Sequence, residues 1–423
     1  MIKTKNLISN LFLILMVLMI NTPLILKPLK ASLLVGLLVI ISFRIYKKFF
    51  FLEKDIFIIF IITLTASVLF SFNGAINMTD NPFALSTISF LWPFFWLILI
   101  SGILSNSILI RLHKVFIYSL YFLCIYIILF ILNQLSIIPD WLFINLEISN
   151  QSGFYYAHGE MEFSLLCLAT LMFLIPYFYS SILFEEKLSK IKILFLIIVT
   201  LLFILSGRRG LQLAVLVSFF NIFIFQFFIK NKLVLNNIKK IKKRMYIFII
   251  IALSIIIPYT ALYNIVDYNK IFEFFISGFD FTNQDNYSSY TRYLVFNSLI
   301  DVWINNPIFG GGYGEHGDII RNTQMPWSYE LTYVALLVQI GLIGMILYTL
   351  AVFWTIWQLI IIIKDGNKKY LQISFSVLIG FISFLIAAST NSYLTKFDYL
   401  WIIFIPILIV NIYKYDKKCQ IKG

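Results

Sequence analysis

The groups able to do chemistry gather in one stretch of the chain, 290–344. Arg292, His316, Asp318, Arg321 and Glu330 stand there among Tyr313, Trp327 and Tyr329, around a glycine cluster at Gly310, Gly311, Gly312 and Gly314. A smaller group, Arg208 and Arg209, occupies the sequence SGRRG between two apolar runs. Two guanidiniums on a glycine-flanked turn can clamp a diphosphate through bidentate hydrogen bonds, or simply anchor the turn at lipid headgroups. Arg292, beside Tyr290 and Tyr293, reads either as a snorkelling surface arginine or as a second anion clamp facing the first. Glu330, in PWSYELTY, is either a helix-cap acid or a base. Partial desolvation among aromatic rings raises a carboxylate's basicity, which suits it to take a proton from a hydroxyl. The glycines read as a packed turn whose backbone can come close to a ligand, although no strand precedes them as a dinucleotide site requires.

The elements that position these groups are membrane helices. Hydrophobic residues make up 61% of the 423 residues, charged residues 13%, and mean hydropathy is +0.91. A soluble domain of this length carries more surface charge. Apolar runs long enough to cross a bilayer recur throughout, and period-two alternation is absent, so the expected fold is an all-α, polytopic membrane bundle rather than a barrel. About twelve spans are expected, near 7–25, 31–46, 56–72, 84–104, 115–132, 160–182, 190–206, 210–229, 245–264, 330–354, 371–390 and 398–413. The N-terminal run, lacking a small-residue cleavage site, reads as a retained first span. The chain is then a single membrane domain over 1–423. A long extracytoplasmic loop at 265–329, carrying the chemistry, is inserted between spans nine and ten. Tyr290, Leu294, Leu299 and Trp303 space nearly along one face, so an amphipathic helix is expected within that loop.

The net charge of +13 does not indicate nucleic acid, because its location is that of topogenic loops. With both termini placed in the cytoplasm, 25 of the 33 lysines and arginines fall on the inner side. Lys27, Lys30, Arg208, Arg209, Lys270, Arg292, Arg321 and Lys396 remain outside, so the candidate groups all face out. Cys124, Cys167 and Cys419 support neither a disulfide frame nor a thiolate metal site, and His158 with Glu160 lacks a convincing third ligand. No metal and no cofactor is expected.

Three features together resemble the superfamily of O-antigen polymerases and O-antigen ligases, polytopic membrane glycosyltransferases. They are SGRRG at an outer helix junction, Arg292 followed after thirteen residues by NPIFGGGYG, and the re-entry from Pro326 to GLIG at Gly344. The resemblance covers 206–344. Ligase-like members carry a histidine eleven residues before the first glycine of GLIG; here Glu330 holds that position, which favours a polymerase-like member. The resemblance implies inverting, metal-independent transfer of a glycan from undecaprenyl diphosphate to a sugar hydroxyl on a second lipid-linked unit, at the outer face of the bacterial inner membrane. The product is a surface polysaccharide, O-antigen or capsule. Glu330 and Arg292 are then the catalytic candidates, and Arg208, Arg209, Arg292 and Arg321 the diphosphate clamp. Tyr313, His316, Trp327 and Tyr329 are candidate substrate contacts, with Tyr155 and Tyr156 as further stacking faces. Expected partners are undecaprenyl-diphosphate-linked oligosaccharides and membrane lipids, with a chain-length regulator and a flippase by resemblance alone. Two alternatives stay open: a ligase passing glycan to a lipid core or protein, and a lipid-linked oligosaccharide flippase.

Overall fold

The structure is a computed structural model, which describes residues 2–47, 49–143, 153–157, 160–185, 189–206, 208–228 and 287–422. Thirteen α-helices and one short hairpin are described. In chain order they are α1 (Ile2–Asn21), α2 (Lys27–Tyr46), α3 (Lys54–Ile76), α4 (Pro82–Ser86), α5 (Trp92–Gly102) and α6 (Ser107–Gln134). A one-turn π-helix at Thr87–Leu91 joins α4 to α5. Strands β1 (Gly153–Ala157) and β2 (Glu160–Ser164) follow, then α7 (Leu168–Ile182), α8 (Lys190–Leu205) and α9 (Arg209–Phe228). The chain ends with α10 (Tyr287–Asn305), α11 (Thr332–Asp365), α12 (Lys368–Ala387) and α13 (Trp401–Lys422).

The bundle is the polytopic, helical one expected. Seven of its helical segments are long and apolar enough to cross a membrane, and three shorter apolar ones accompany them among the described residues. Helices coincide with eleven of the twelve expected spans; the twelfth, 245–264, lies outside the described residues, as do the basic cluster 230–244 and the start of the long loop. One boundary needs correction. The span expected at 160–182 begins only at Leu168, because β1 and β2 pair antiparallel from Gly153↔Ser164 to Ala157↔Glu160. A helix begun at residue 160 would carry Glu160 and Glu162 into hydrocarbon at a cost of several kcal/mol, about 3 each on insertion scales. In the paired hairpin the backbone groups meet their hydrogen bonds across the two strands instead.

The centre of the bundle is α7 against α12, with α13 alongside. Every residue of α7 is buried, and Gly380 lets α12 approach so closely that an added Cβ would sit 2.9 Å from the Phe173 ring. Phe116, Phe173, Tyr177 and Trp401 stack in that core. Alternating helix directions bring the turn after α1, the α8–α9 junction, the start of α11 and the α12–α13 turn to one end. That end is braced by a buried ion pair the hydropathy pattern does not reveal. Lys30 Nζ lies 2.6 Å from Asp398 Oδ1, with both side chains at most 4% exposed, while Leu24 N donates to Asp398 Oδ2 at 2.8 Å.

Candidate functional site

Two helices and one glycine loop set the geometry. α11 is continuous in hydropathy but broken in backbone, since Gly341 has φ 61° and ψ −171°, a region open essentially to glycine. A break there removes the rungs from the amides of 342 and 343 to the carbonyls of 338 and 339. The NPIFGGGYG loop replaces both. Gly311 N and Gly312 N donate to the Val338 and Gln339 carbonyls at 2.9 Å each, and Leu342 N and Ile343 N donate to the Pro307 and Ile308 carbonyls at 3.0 and 3.1 Å. Inside an apolar bundle such exchange is obligatory, because an unmet backbone group costs several kcal/mol.

The same loop is sewn to the end of α3. Asn73 and Asn77 donate to the Gly310 and Gly311 carbonyls, Thr79 Oγ1 to the Tyr313 carbonyl, and Tyr313 N to Phe70 O. Gly312, at φ 95°, lies so near that an added Cβ would stand 2.0 Å from Gly74 N. The glycines thus let the loop approach α3 and α11 closely.

This framework holds α10 against the first half of α11. Val295 and Leu299 are buried against Tyr329, Ala335 and Val338. Each such side chain stabilises the contact by about 2 kcal/mol. The face packed on α11 runs through Val295 and Leu299, while Tyr293, Leu294 and Phe296 are exposed. One turn before Val295, Arg292 projects to the mouth of α11. Its Nε lies 2.9 Å from Glu330 Oε2, and Arg321 Nη2 lies 3.5 Å from Glu330 Oε1. Each carboxylate oxygen thus has its own guanidinium. The three side chains are 30–42% exposed, so the cluster is open to a ligand, and its net charge is +1.

Arg321 owes its place to Tyr329. That ring is 2% exposed, and its hydroxyl both accepts from Gly317 N at 3.1 Å and donates to Gly317 O at 3.3 Å, tying down the loop that leads to Arg321. Burial raises the Tyr329 hydroxyl above the usual tyrosine range, the Gly317 hydrogen bond works against this, and the Asp318 charge adds to it. Trp327 and Tyr313 are packed with Phe70, Leu85 and Ile340. These three aromatics, expected as sugar contacts, are at most 8% exposed, and all three line one small cavity. His316 is engaged elsewhere, its Nδ1 with Gly317 O and its Nε2 at 3.3 Å from Asp80 of the α3–α4 turn.

Arg208 meets this cluster through the α12–α13 turn, which sequence reasoning passed over. Gly210 sits where an added Cβ would be 3.0 Å from Asn391 Nδ2, so the SGRRG turn rests on that turn. From the other side Thr332 Oγ1 donates to Asn391 O at 2.9 Å. Between them lies Tyr393. Its hydroxyl is pushed up to about 12, chiefly by burial; the Arg208 charge lowers it and the Glu330 charge raises it, so both groups act on one oxygen. Lys396, in the same turn, is lowered from its ordinary value by burial and has no ion-pair partner among the described residues. The polar run Ser389–Ser392 beside a single lysine was the signal in the sequence. Arg208 itself is exposed, and the Arg209 side chain lies outside the described residues, as does His158.

Beside Thr332 a cavity of about 70 Å³, mostly apolar, opens between Leu85, Ile88, Tyr329, Leu336 and Thr395. No group of three or more His, Cys, Asp or Glu able to hold a metal ion occurs among the described residues. The arrangement offers cationic hydrogen-bond donors, one carboxylate between two of them, and an apolar recess alongside.

Comparison with known proteins adds one finding. The O-antigen ligase family matches residues 194–349, just over a third of the chain. The match takes in the SGRRG turn, the glycine loop and the GLIG break, and it bears out the superfamily resemblance. No curated protein and no solved structure matches the chain.

Proposed function

We propose that this chain, a polytopic membrane protein carrying the O-antigen ligase region, polymerises lipid-linked oligosaccharide repeat units of a surface polysaccharide at the outer face of the bacterial inner membrane. Glycan transfer of polymerase or ligase type, from lipid-linked oligosaccharides, is what the family supports. The observation that carries the polymerase reading is Glu330, a carboxylate between Arg292 and Arg321 where ligase-like members have a histidine.

In the free protein Glu330 occupies the place of an anion. A donor diphosphate competes for the two guanidiniums, with Arg208 as the third cation and Arg209 beside it in sequence. Once released, the Glu330 carboxylate takes the proton of the acceptor hydroxyl. The hydroxyl oxygen attacks the anomeric carbon from the face opposite the diphosphate, a new glycosidic C–O bond forms, and the sugar–phosphate C–O bond breaks with inversion. The lipid diphosphate leaves with that electron pair, its charge met by the arginines. No cofactor enters this scheme, because the diphosphate linkage supplies the driving force. The apolar recess beside Thr332 suits hydrocarbon next to the diphosphate, and in this reading both lipid-linked substrates enter sideways from the bilayer. A flippase delivering donor and a regulator of chain length fit this scheme as partners.

The test is a null strain. Accumulated single repeat units support polymerisation; long but unattached polymer means ligation, and unflipped repeat units mean transport.

A further inference from the structure

From the geometry of the α12–α13 turn we infer that the Tyr393 hydroxyl is a binding group of the same site, an uncharged donor to an oxygen of the diphosphate. The inference rests on the diphosphate reading above and extends it to a part of the chain beyond the matched region 194–349.

Three observations carry it. First, the turn is fixed on both sides. Thr332 Oγ1 holds the Asn391 carbonyl, Tyr393 N donates to that same carbonyl at 2.8 Å, and Gly210 brings the SGRRG turn against Asn391 and Thr390. Second, the Tyr393 ring is held by Tyr399, with centroids 5.3 Å apart at 65°, and by Phe384 at 6.3 Å. Its position does not depend on the hydroxyl. Third, that hydroxyl feels both Arg208 and Glu330, yet finds no hydrogen-bond partner among the described residues. Half-buried in a turn that touches both the SGRRG loop and the start of α11, it is open to a ligand between the two charged groups.

The chemistry suits an anion. The cations supply charge, and a neutral hydroxyl adds direction between the Arg208 side and the Arg292–Arg321 side. Burial keeps the proton on this oxygen through the physiological range, so it donates rather than repels. Arg208 and Glu330 are the charged groups that act on it, and Lys396 follows three residues on in the same turn.

Tyr393→Phe removes the oxygen and keeps the ring. Purified protein in lipid nanodiscs is assayed for donor kcat and KM, and for inhibition by inorganic pyrophosphate. The expected result is a ten- to hundredfold rise in donor KM and in the pyrophosphate inhibition constant, the size of a lost hydrogen bond to a charged group. Melting temperature and kcat stay near wild type, and the loss is equal at about pH 6 and pH 9, because this hydroxyl does not titrate there. A weakening confined to the lipid-linked donor, with pyrophosphate unaffected, places the hydroxyl on sugar or lipid and overturns the inference. So does a variant with wild-type constants for both. A wild-type protein that transfers no glycan and ignores pyrophosphate overturns the transferase reading and the inference together.

Discussion

Replacing Glu330 by glutamine separates a base from a mere clamp. The substitution keeps shape and removes one negative charge, taking the Arg292–Arg321–Glu330 cluster from +1 to +2. The two ion pairs, at 2.9 and 3.5 Å, join side chains 30–42% exposed. Solvent screens pairs of that kind to about 0–1 kcal/mol each. Folding stability should therefore fall by less than about 2 kcal/mol, a shift of a few degrees in melting temperature. The effect on chemistry should be larger. Loss of a general base costs about 10²- to 10⁴-fold, or roughly 3–5 kcal/mol of barrier. Donor KM should stay level or fall, since the incoming diphosphate no longer competes with a carboxylate for the guanidiniums. The assay is transfer rate against donor concentration, with melting in the same detergent. A kcat within threefold of wild type would refute Glu330 as base. A raised KM with kcat intact would mean that Glu330 only positions Arg292.

Other perturbations test the frame and the clamp. Gly341→Ala forces a side chain onto φ 61° and a Cβ to 2.3 Å from Ile308 O, so stability should drop by at least about 2 kcal/mol, seen as lost monodisperse protein in detergent. Lys30→Met or Asp398→Leu alone strands a buried charge and should cost about 3–5 kcal/mol, whereas the two together should be milder than either single change. Thermal melts of the three variants decide this; an additive double variant contradicts it. Arg321→Ala should raise donor KM while sparing the fold, because its pair with Glu330 is the longer of the two at 3.5 Å.

Much of this fold was readable because apolar run length is a local signal. The described helices follow the hydrophobic runs. The breaks in local pattern were not readable. Gly341 sits in an unbroken apolar run, and only the distant NPIFGGGYG loop, by supplying two donors and two acceptors, reveals that the helix is interrupted there. The β1–β2 hairpin was hidden because five-residue strands alternate too briefly to outweigh a neighbouring apolar run. At the site, Arg292, Arg321 and Glu330 were each legible as groups with chemistry. Their meeting depends on α10 packing through Val295 and Leu299, a contact across 38 residues. Tyr313, Trp327 and Tyr329 were legible as aromatics near a loop, but their burial around one small cavity depends on α3, α4 and α11 and was not. Tyr393 and Asp398 gave almost no signal, since each matters through partners far away in sequence, 368 residues in the case of Asp398 and Lys30.

The most direct test of the central claim is reconstitution of the purified protein with a polyprenyl-diphosphate-linked repeat unit as both donor and acceptor, with wild type and Arg292→Ala compared. The account predicts a ladder of lengthening glycans and stoichiometric release of polyprenyl diphosphate from wild type, and neither from the variant. Wild-type protein that yields no ladder, or an Arg292→Ala variant that yields the same ladder, would contradict it.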